Sequence, residues 1–339
     1  MRSLFIILFS VSTYYQIFSQ GCCSGGSGSP IAGGASQGVL KGRQIEIAAN
    51  YQYSGTNRFM TDDKDTAKLF DYLYTNYLYT RLAYGVTDKL TMSIESGYFF
   101  NKTQYGLQKS DTITSSGIGD LIIFPRYSIY NRNTEKTRTE ITLGLGIKIP
   151  LGKYNDSTKV FTDPNTGQKY YTTSPPTVQP TTGSQDFIFY GFLYRGYPEK
   201  KFRVFANMLY IKKGWNSLGQ KFGDYASVGL FAGTTFFNKL GVTIQVRGEW
   251  VDSMKYDKNI DMLALYNIDV RSTGSKKIFF APQVSFTHKN FTIYTLREIP
   301  LYQFLNGTQV ASQVQYTAGI SYRFFLKEKL PKEVDAEIK

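Results

Sequence analysis

The chain of 339 residues is poor in the residue types on which most catalytic and metal sites depend. It contains one histidine, two cysteines and two tryptophans, and only 19% of its residues are charged. The single histidine, His288, has no nearby motif that would supply a positioned nucleophile. We therefore expect no enzymatic activity and no cofactor.

Long apolar runs are also missing. No stretch approaches the ~20 consecutive apolar residues that a transmembrane helix needs, which excludes an α-helical membrane protein. Aromatic residues, in contrast, make up 16% of the chain, with 27 Tyr and 25 Phe, and there are 31 Gly. This mixture favours β-sheet faces over helical cores.

The net charge of +13 raises the question of a nucleic-acid partner. Proteins that bind nucleic acids cluster Lys and Arg against the phosphates. Here the basic residues are dispersed, and no long basic run or known nucleic-acid-binding motif occurs. We expect no nucleic-acid partner.

The first residues have the layout of a secretory signal. Arg2 precedes the apolar stretch 4–11, and the small residues Ser19 and Gly21 follow. We predict a signal peptide over residues 1–21, with cleavage after Ser19 or Gln20 as alternatives. Export from the cytoplasm follows from this prediction.

A leader rich in Cys, Gly and Ser follows, which we predict to be periplasmic over residues 22–42. Three interpretations of its adjacent cysteines stay open. Cys22 could carry a lipid, the thiolates of Cys22 and Cys23 could bind a soft metal such as copper, or the pair could be oxidised or incidental.

From residue 43 onward, apolar and polar residues alternate with the period of two that is typical of β-strands. In residues 140–149, the odd positions hold only Ile and Leu, and the even positions hold Glu, Thr, Gly and Lys. The pattern predicts strands with one face in lipid and one in a polar lumen. Twelve such strands are predicted, near residues 43–54, 70–85, 89–102, 119–131, 138–149, 185–196, 201–213, 224–237, 240–252, 276–288, 290–303 and 312–325.

The connections alternate between short and long, as in outer-membrane barrels, which have short periplasmic turns and longer outer loops. Short turns are predicted at 86–89, 131–137, 196–200, 238–239 and 288–289. Longer loops are predicted at 54–69, 102–118, 150–184, 214–223, 251–275 and 304–311, the last with a tight turn at Asn306-Gly307. The fold class is therefore all-β: a transmembrane antiparallel up-and-down β-barrel of about 12 strands over residues 43–325, in the outer membrane of a Gram-negative cell.

Three features indicate the predicted partners of this barrel. The short turns are basic, which suits attraction to the headgroups of outer-membrane lipid, although turn solubility explains them as well. Aromatic residues recur near strand ends, as in the interfacial girdles of barrels. The last strand, 316–324, resembles the C-terminal signal read by the barrel-assembly machinery, and a polar periplasmic tail is predicted over residues 326–339.

Charged residues on the strand faces opposite the apolar ones are the candidate functional residues, because an ionisable group is costly in lipid. They either form a network that fills the lumen or contact a passing solute. The predicted set is Glu46, Asp120, Arg126, Glu140, Lys148, Asp186, Arg247, Glu249, Lys277 and Arg323.

Six short segments together resemble one family. They are Ser-Gly-Ile-Gly-Asp-Leu at 116–121, Leu-Gly-Ile-Lys-Ile-Pro-Leu-Gly at 145–152, Thr-Gly-Ser-Gln-Asp-Phe at 182–187, the pair 299–303 and 306–309, and Gly-Ile-Ser-Tyr-Arg-Phe at 319–324. The chain resembles, over residues 40–325, the family of outer-membrane transporters named for the MetA pathway of phenol degradation. The resemblance implies a barrel that lets small, often hydrophobic compounds cross the outer membrane. The cysteine leader and the loop 156–182 depart from the family.

Our first functional hypothesis is a passive, porin-like channel for a small-molecule solute, with hydrophobic or aromatic compounds as candidates. The second is a non-conducting structural or binding barrel, with a lumen closed by side chains and a loop at 150–184 that engages an external partner. The third is a metal-linked protein that uses Cys22 and Cys23.

Overall fold

The structure, a computed structural model, describes residues 38–106, 112–262, 269–313 and 315–326. The predictions for the signal peptide, for Cys22 and Cys23, and for nearly all of the polar tail lie outside these residues. No helix in these ranges is long and apolar enough to cross a membrane.

Twelve long strands form the body of the molecule. They are β1 (Gln44–Thr56), β4 (Tyr72–Gly85), β5 (Leu90–Tyr105), β6 (Ile113–Asn133), β7 (Arg138–Pro150), β10 (Asp186–Tyr197), β11 (Phe202–Lys212), β13 (Tyr225–Phe236), β14 (Leu240–Val251), β16 (Ser275–His288), β17 (Phe291–Val310) and β18 (Gln315–Phe325). Six short strands lie in the described parts of the loops: β2 (Phe59–Asp62), β3 (Lys64–Thr66), β8 (Ser157–Thr162), β9 (Lys169–Thr173), β12 (Gln220–Lys221) and β15 (Lys255–Tyr256). A 3-10 turn covers Val270–Ser272.

Each long strand pairs antiparallel with its neighbours in sequence, and β1 pairs with β18 to close the sheet. That seam runs without a break from Gln44 opposite Phe325 to Ser54 opposite Gln315. In a closed barrel every strand has a neighbour on both sides, so the backbone N–H and C=O groups within the membrane are hydrogen-bonded and no strand edge is free. The predicted fold, an up-and-down barrel of 12 antiparallel strands, is confirmed.

Several strands extend further toward the long loops than the sequence pattern indicates. β6 begins at Ile113 and β17 ends at Val310, where it pairs with β2. The alternation fades there because both faces leave the bilayer. The tight turn predicted at Asn306-Gly307 is wrong: both residues lie within β17 at a bulge, and Gly307 has a φ of 60°.

The outer face of the barrel is apolar, and the inner face carries most of the buried polar groups. Ile47, Leu145 and Leu230 point outward and are more than half exposed, while Glu46, Glu140 and Asn207 point inward and are buried. The start of β1 at Gln44, the end of β18 at Phe325 and the short turns lie at one rim. We refer to it as the periplasmic rim, because short turns face the periplasm in such barrels.

Candidate functional site

Among the described residues, three groups of ion pairs with at least three charged side chains each line the lumen. The first, at the periplasmic rim, is centred on Glu46 of β1, which is 2% exposed. Its carboxylate accepts hydrogen bonds from Arg81 of β4 and Arg323 of β18. The strand register explains this arrangement, because Glu46 lies directly opposite Arg323 and diagonally from Arg81.

The second group lies toward the long loops and is almost completely buried. Lys148 Nζ lies 2.8 Å from both Asp120 Oδ2 and Asp186 Oδ2. Lys213 Nζ, just beyond β11, lies 3.0 Å from the same oxygen of Asp186. Asp186 also accepts hydrogen bonds from the hydroxyl of Ser184 at 2.8 Å and from a backbone N–H at 3.1 Å. The charges are thus paired, as burial requires.

The third group lies on β14 and β17. Arg247 Nη2 lies 3.0 Å from Glu298 Oε2 and 3.8 Å from Glu249 Oε2. The guanidinium of Arg247 also lies 5.1 Å from the ring centroid of Phe279, and the hydroxyl of Tyr225 donates to Glu249 at 3.2 Å. Here, too, each charge has a partner inside the barrel.

All the predicted lumen residues lie on the inner side of the barrel, but their burial differs. Six are buried: Glu46, Arg126, Glu140, Lys148, Asp186 and Lys277. The side chains of Asp120 and Arg247 are 16% exposed, that of Glu249 is 7% exposed, and that of Arg323 is 39% exposed. Their contact with a solute stays a prediction.

The sequence analysis missed several inner charges. Arg81 and Glu95 follow the same alternation as the residues that were chosen, so this signal could have identified them. Glu298 also follows it, because it shares the inner face of β17 with Thr292 and Tyr294. Lys213 lies beyond the end of its strand, so no pattern of period two would have placed it.

Part of the lumen wall is aromatic, which the prediction of a polar lumen did not anticipate. In β10 the inward residues Ile188, Tyr190 and Phe192 are as apolar as the outward ones. Across neighbouring strands, the rings of Phe205 and Phe231 stack with centroids 4.2 Å apart. The complete cluster consists of Ile122, Phe124, Ile188, Tyr190, Phe192, Phe205, Leu209 and Phe231.

The outer mouth is covered by residues 174–184, which we term the mouth segment. Val178 is fully buried in an apolar cluster with Phe59, Phe70, Leu73 and Val310. The mouth segment belongs to the long loop predicted at 150–184, and the structure folds it inward. The loop's hairpin of β8 and β9 is largely exposed instead.

Two lysines of the barrel wall hold the mouth segment by hydrogen bonds. Lys102 Nζ donates to the carbonyl oxygen of Gln179 at 2.7 Å. Lys148 Nζ donates to the hydroxyl of Thr182 at 3.2 Å. The second contact links the mouth segment to the buried ion pairs below it.

A second outer loop is tied down by Asp224. Its carboxylate accepts hydrogen bonds from Lys212 Nζ at 2.9 Å, from the Tyr210 hydroxyl at 3.1 Å and from the Lys213 N–H at 2.8 Å. Partial burial opposes ionisation, but these donors outweigh it and hold the pKa of Asp224 below its ordinary value. Asp224 is therefore ionised at neutral pH.

The periplasmic end is crossed by residues 38–42, which we term the inner strap. The carbonyl oxygen of Gly38 accepts from Arg126 at 3.2 Å, and the N–H of Val39 donates to Glu140 at 3.0 Å. Leu40 is buried, and its N–H donates to Thr91 at 2.8 Å. A side chain at position 38 would collide with the Glu140 carboxylate. The strap thus runs from β1 across the lumen to β6 and β7.

A cavity of about 460 Å³, which we term the inner cavity, lies between the inner strap and the opposite wall. Nowhere in the described ranges, the inner cavity included, are three His, Cys, Asp or Glu residues grouped so that they could hold a metal ion. His288 is exposed at the periplasmic rim.

Comparison with known proteins supports the fold. No family model matches the chain, and no curated protein matches it either. Among solved structures, the chain is similar to the COG4313 outer membrane channel from Pseudomonas putida F1, with a TM-score of 0.66 and 13% identity over 85% of this chain and 97% of that one. A more distant likeness is to the Ralstonia pickettii toluene transporter TbuX, with a TM-score of 0.35 and 11% identity over 90% of this chain and 98% of that one. Another is to the translocator domain of the autotransporter NalP from Neisseria meningitidis, with a TM-score of 0.44 and 11% identity over 84% of this chain and 90% of that one. The protein is a closed β-barrel of the outer-membrane kind.

Proposed function

We propose that the protein is a passive channel that admits small solutes to the periplasm, and that the mouth segment controls their entry. The observation that carries this proposal is the way in which the mouth segment is held. It lies across the outer mouth through one apolar cluster and a few side-chain hydrogen bonds. A segment held in this way resembles a lid, and lids open on the microsecond to second scale.

The solute class follows from the lumen wall. The ring cluster on β6, β10, β11 and β13 offers an apolar surface, and the ion pairs elsewhere offer polar contacts. This combination suits small compounds with an aromatic or hydrophobic body. The resemblance to the family named for the MetA pathway of phenol degradation supports the same class. The predicted lumen charges would then contact the polar part of the solute.

Planar-bilayer conductance and liposome swelling test the proposal with the variant Val178→Asp. A carboxylate in the buried cluster would expel the mouth segment, so we expect the variant to conduct several-fold more current than the native protein. Tyr171→Asp is the matched control, because Tyr171 lies in the same loop but is 59% exposed. We expect the control to conduct like the native protein.

Heat-shift electrophoresis first shows that each variant is folded. A complete lack of solute flux through folded native protein and through folded Val178→Asp would overturn the channel proposal. Equal conductance of the two would overturn the role of the mouth segment alone.

A non-conducting barrel is the second candidate, and one observation favours it. Stacked rings, buried ion pairs and the inner strap occupy much of the lumen. Such a barrel would offer its exposed β8–β9 hairpin to an external partner. The same bilayer measurement distinguishes the two candidates.

The remaining predictions concern the surroundings of the barrel. We propose outer-membrane lipid and the barrel-assembly machinery as partners, and no catalytic role. Mass spectrometry of the mature N-terminus would reveal a lipid on Cys22. Copper binding that is unchanged by Cys22→Ser with Cys23→Ser would remove the metal-linked alternative.

A further inference from the structure

The inner cavity carries an excess of positive charge. Five basic side chains and two carboxylates line it, which leaves a net charge of three positive. The basic residues are Lys41, Arg81, Arg138, Arg203 and Arg323, and the acidic residues are Glu46 and Glu140. A polar cavity with this excess within low-dielectric walls attracts anions.

Both carboxylates are already engaged. Glu46 accepts from Arg81 and Arg323. Glu140 accepts from Arg138 Nη2 at 2.8 Å, besides the bond from the inner strap. Neither is left to balance the remaining basic groups.

Arg203 of β11 is positively charged, but its hydrogen-bond partners are neutral hydroxyl groups. Its Nη1 donates to the Thr235 hydroxyl at 3.2 Å, and its Nη2 lies 3.5 Å from the Thr243 hydroxyl. Its Nε is buried and has no hydrogen-bond partner. Among the residues that the structure describes, Arg203 forms no ion pair with a carboxylate. A guanidinium with only neutral partners is prepared to receive a planar anion.

The rest of the cavity wall suggests what kind of anion fits. Hydroxyl and amide groups lie on β16, β17 and β18, and rings lie on β10 and β17. The polar members are Gln283, Ser285, Thr287, Thr292 and Ser321, and the rings are Phe192, Tyr194 and Tyr294. A volume of about 460 Å³ is that of a small-molecule site.

We propose that the inner cavity binds a small organic acid, with its carboxylate on Arg203 and its apolar or aromatic body against the rings of Tyr194 and Tyr294. This inference rests on the proposed function, because it names the charge and body of the solute that the channel carries. The cavity would hold the acid on the periplasmic side of the lumen.

Isothermal titration of folded protein in detergent with benzoate tests the inference. We expect native protein to bind benzoate and Arg203→Gln to bind it about tenfold more weakly, because a charge-assisted hydrogen bond is lost. Arg203→Lys keeps the charge and should retain much of the affinity. The matched control is Arg195→Gln, since Arg195 is exposed near the same rim and contacts Thr139 and Tyr197 instead.

Two further probes test the chemistry of the ligand. Benzamide, a neutral analogue, should bind at least tenfold more weakly than benzoate, and so should inorganic phosphate, which has no apolar body. Equal binding of benzamide would overturn the role of charge, and equal binding of phosphate would overturn the organic body. Equal benzoate affinity of native protein and folded Arg203→Gln would overturn the assignment of Arg203.

Benzoate can reach the inner cavity from solvent without crossing the barrel. Its binding is therefore measured independently of solute flux. Benzoate binding by a protein that does not conduct would reject the channel and keep the site. Conductance without benzoate binding would reject the site and keep the channel.

Discussion

At the scale of single residues, Glu46 shows how much of the lumen depends on pairing. It is buried between two arginines on neighbouring strands, and it lies within the seam that closes the barrel. A buried charge whose partner is removed is far more costly than a buried pair. Glu46 therefore stabilises the fold by balancing the buried positive charge of Arg81.

We predict that Glu46→Gln lowers the free energy of unfolding by about 3 to 5 kcal/mol, because it leaves Arg81 buried without its main counter-charge. Urea unfolding in detergent, followed by the heat-shift band, measures the change. Glu199→Gln is the control, since Glu199 is exposed in a short turn and should leave the midpoint unchanged. An unchanged midpoint for Glu46→Gln would mean that water already solvates Arg81.

At the scale of strands, β7 is the element in which sequence and structure agree most closely. Its Leu143 and Leu145 are exposed on the outer face, while Thr142 and Lys148 are buried on the inner face. A strict alternation of this kind fixes the register, because a shift by one residue would exchange the two faces.

β10 and β17 show why other elements could not be predicted completely. In β10 both faces are apolar, so the alternation cannot tell lipid from lumen. In β17 the bulge at Gly307 and the pairing with β2 depend on a loop that is distant in sequence. The strand count and the ion-pair face could be predicted because they follow from local period. The mouth segment and the inner strap could not, because tertiary contacts place them.

We predict that Leu145→Arg destabilises the barrel by about 2 to 4 kcal/mol, the cost of a basic side chain on the lipid face near the bilayer centre. Leu151→Arg is the matched control. Leu151 is also half exposed, but it follows β7 at the outer rim, where we expect a change near zero. Urea titration of both variants in the same lipid measures the difference. Equal losses would contradict the position of the membrane along β7.

At the scale of the whole molecule, the lumen has an obstruction at each end. The mouth segment covers the outer end and the inner strap crosses the periplasmic end. Obstructions in series add as resistances, so removing one leaves the other to limit the current. We therefore expect changes at the two ends of the lumen to raise conductance more in combination than either change does alone.

We predict that Leu40→Asp, which places a carboxylate at the buried position of the inner strap, raises conductance only modestly when introduced alone. Combined with Val178→Asp, it should raise conductance by more than the sum of the two single increases, because both resistances then fall at once. Single-channel recordings of the four proteins in one lipid give the comparison, with Tyr171→Asp in place of Val178→Asp as the control pair. A double variant that conducts no better than Val178→Asp would show that the inner strap leaves an open path beside it.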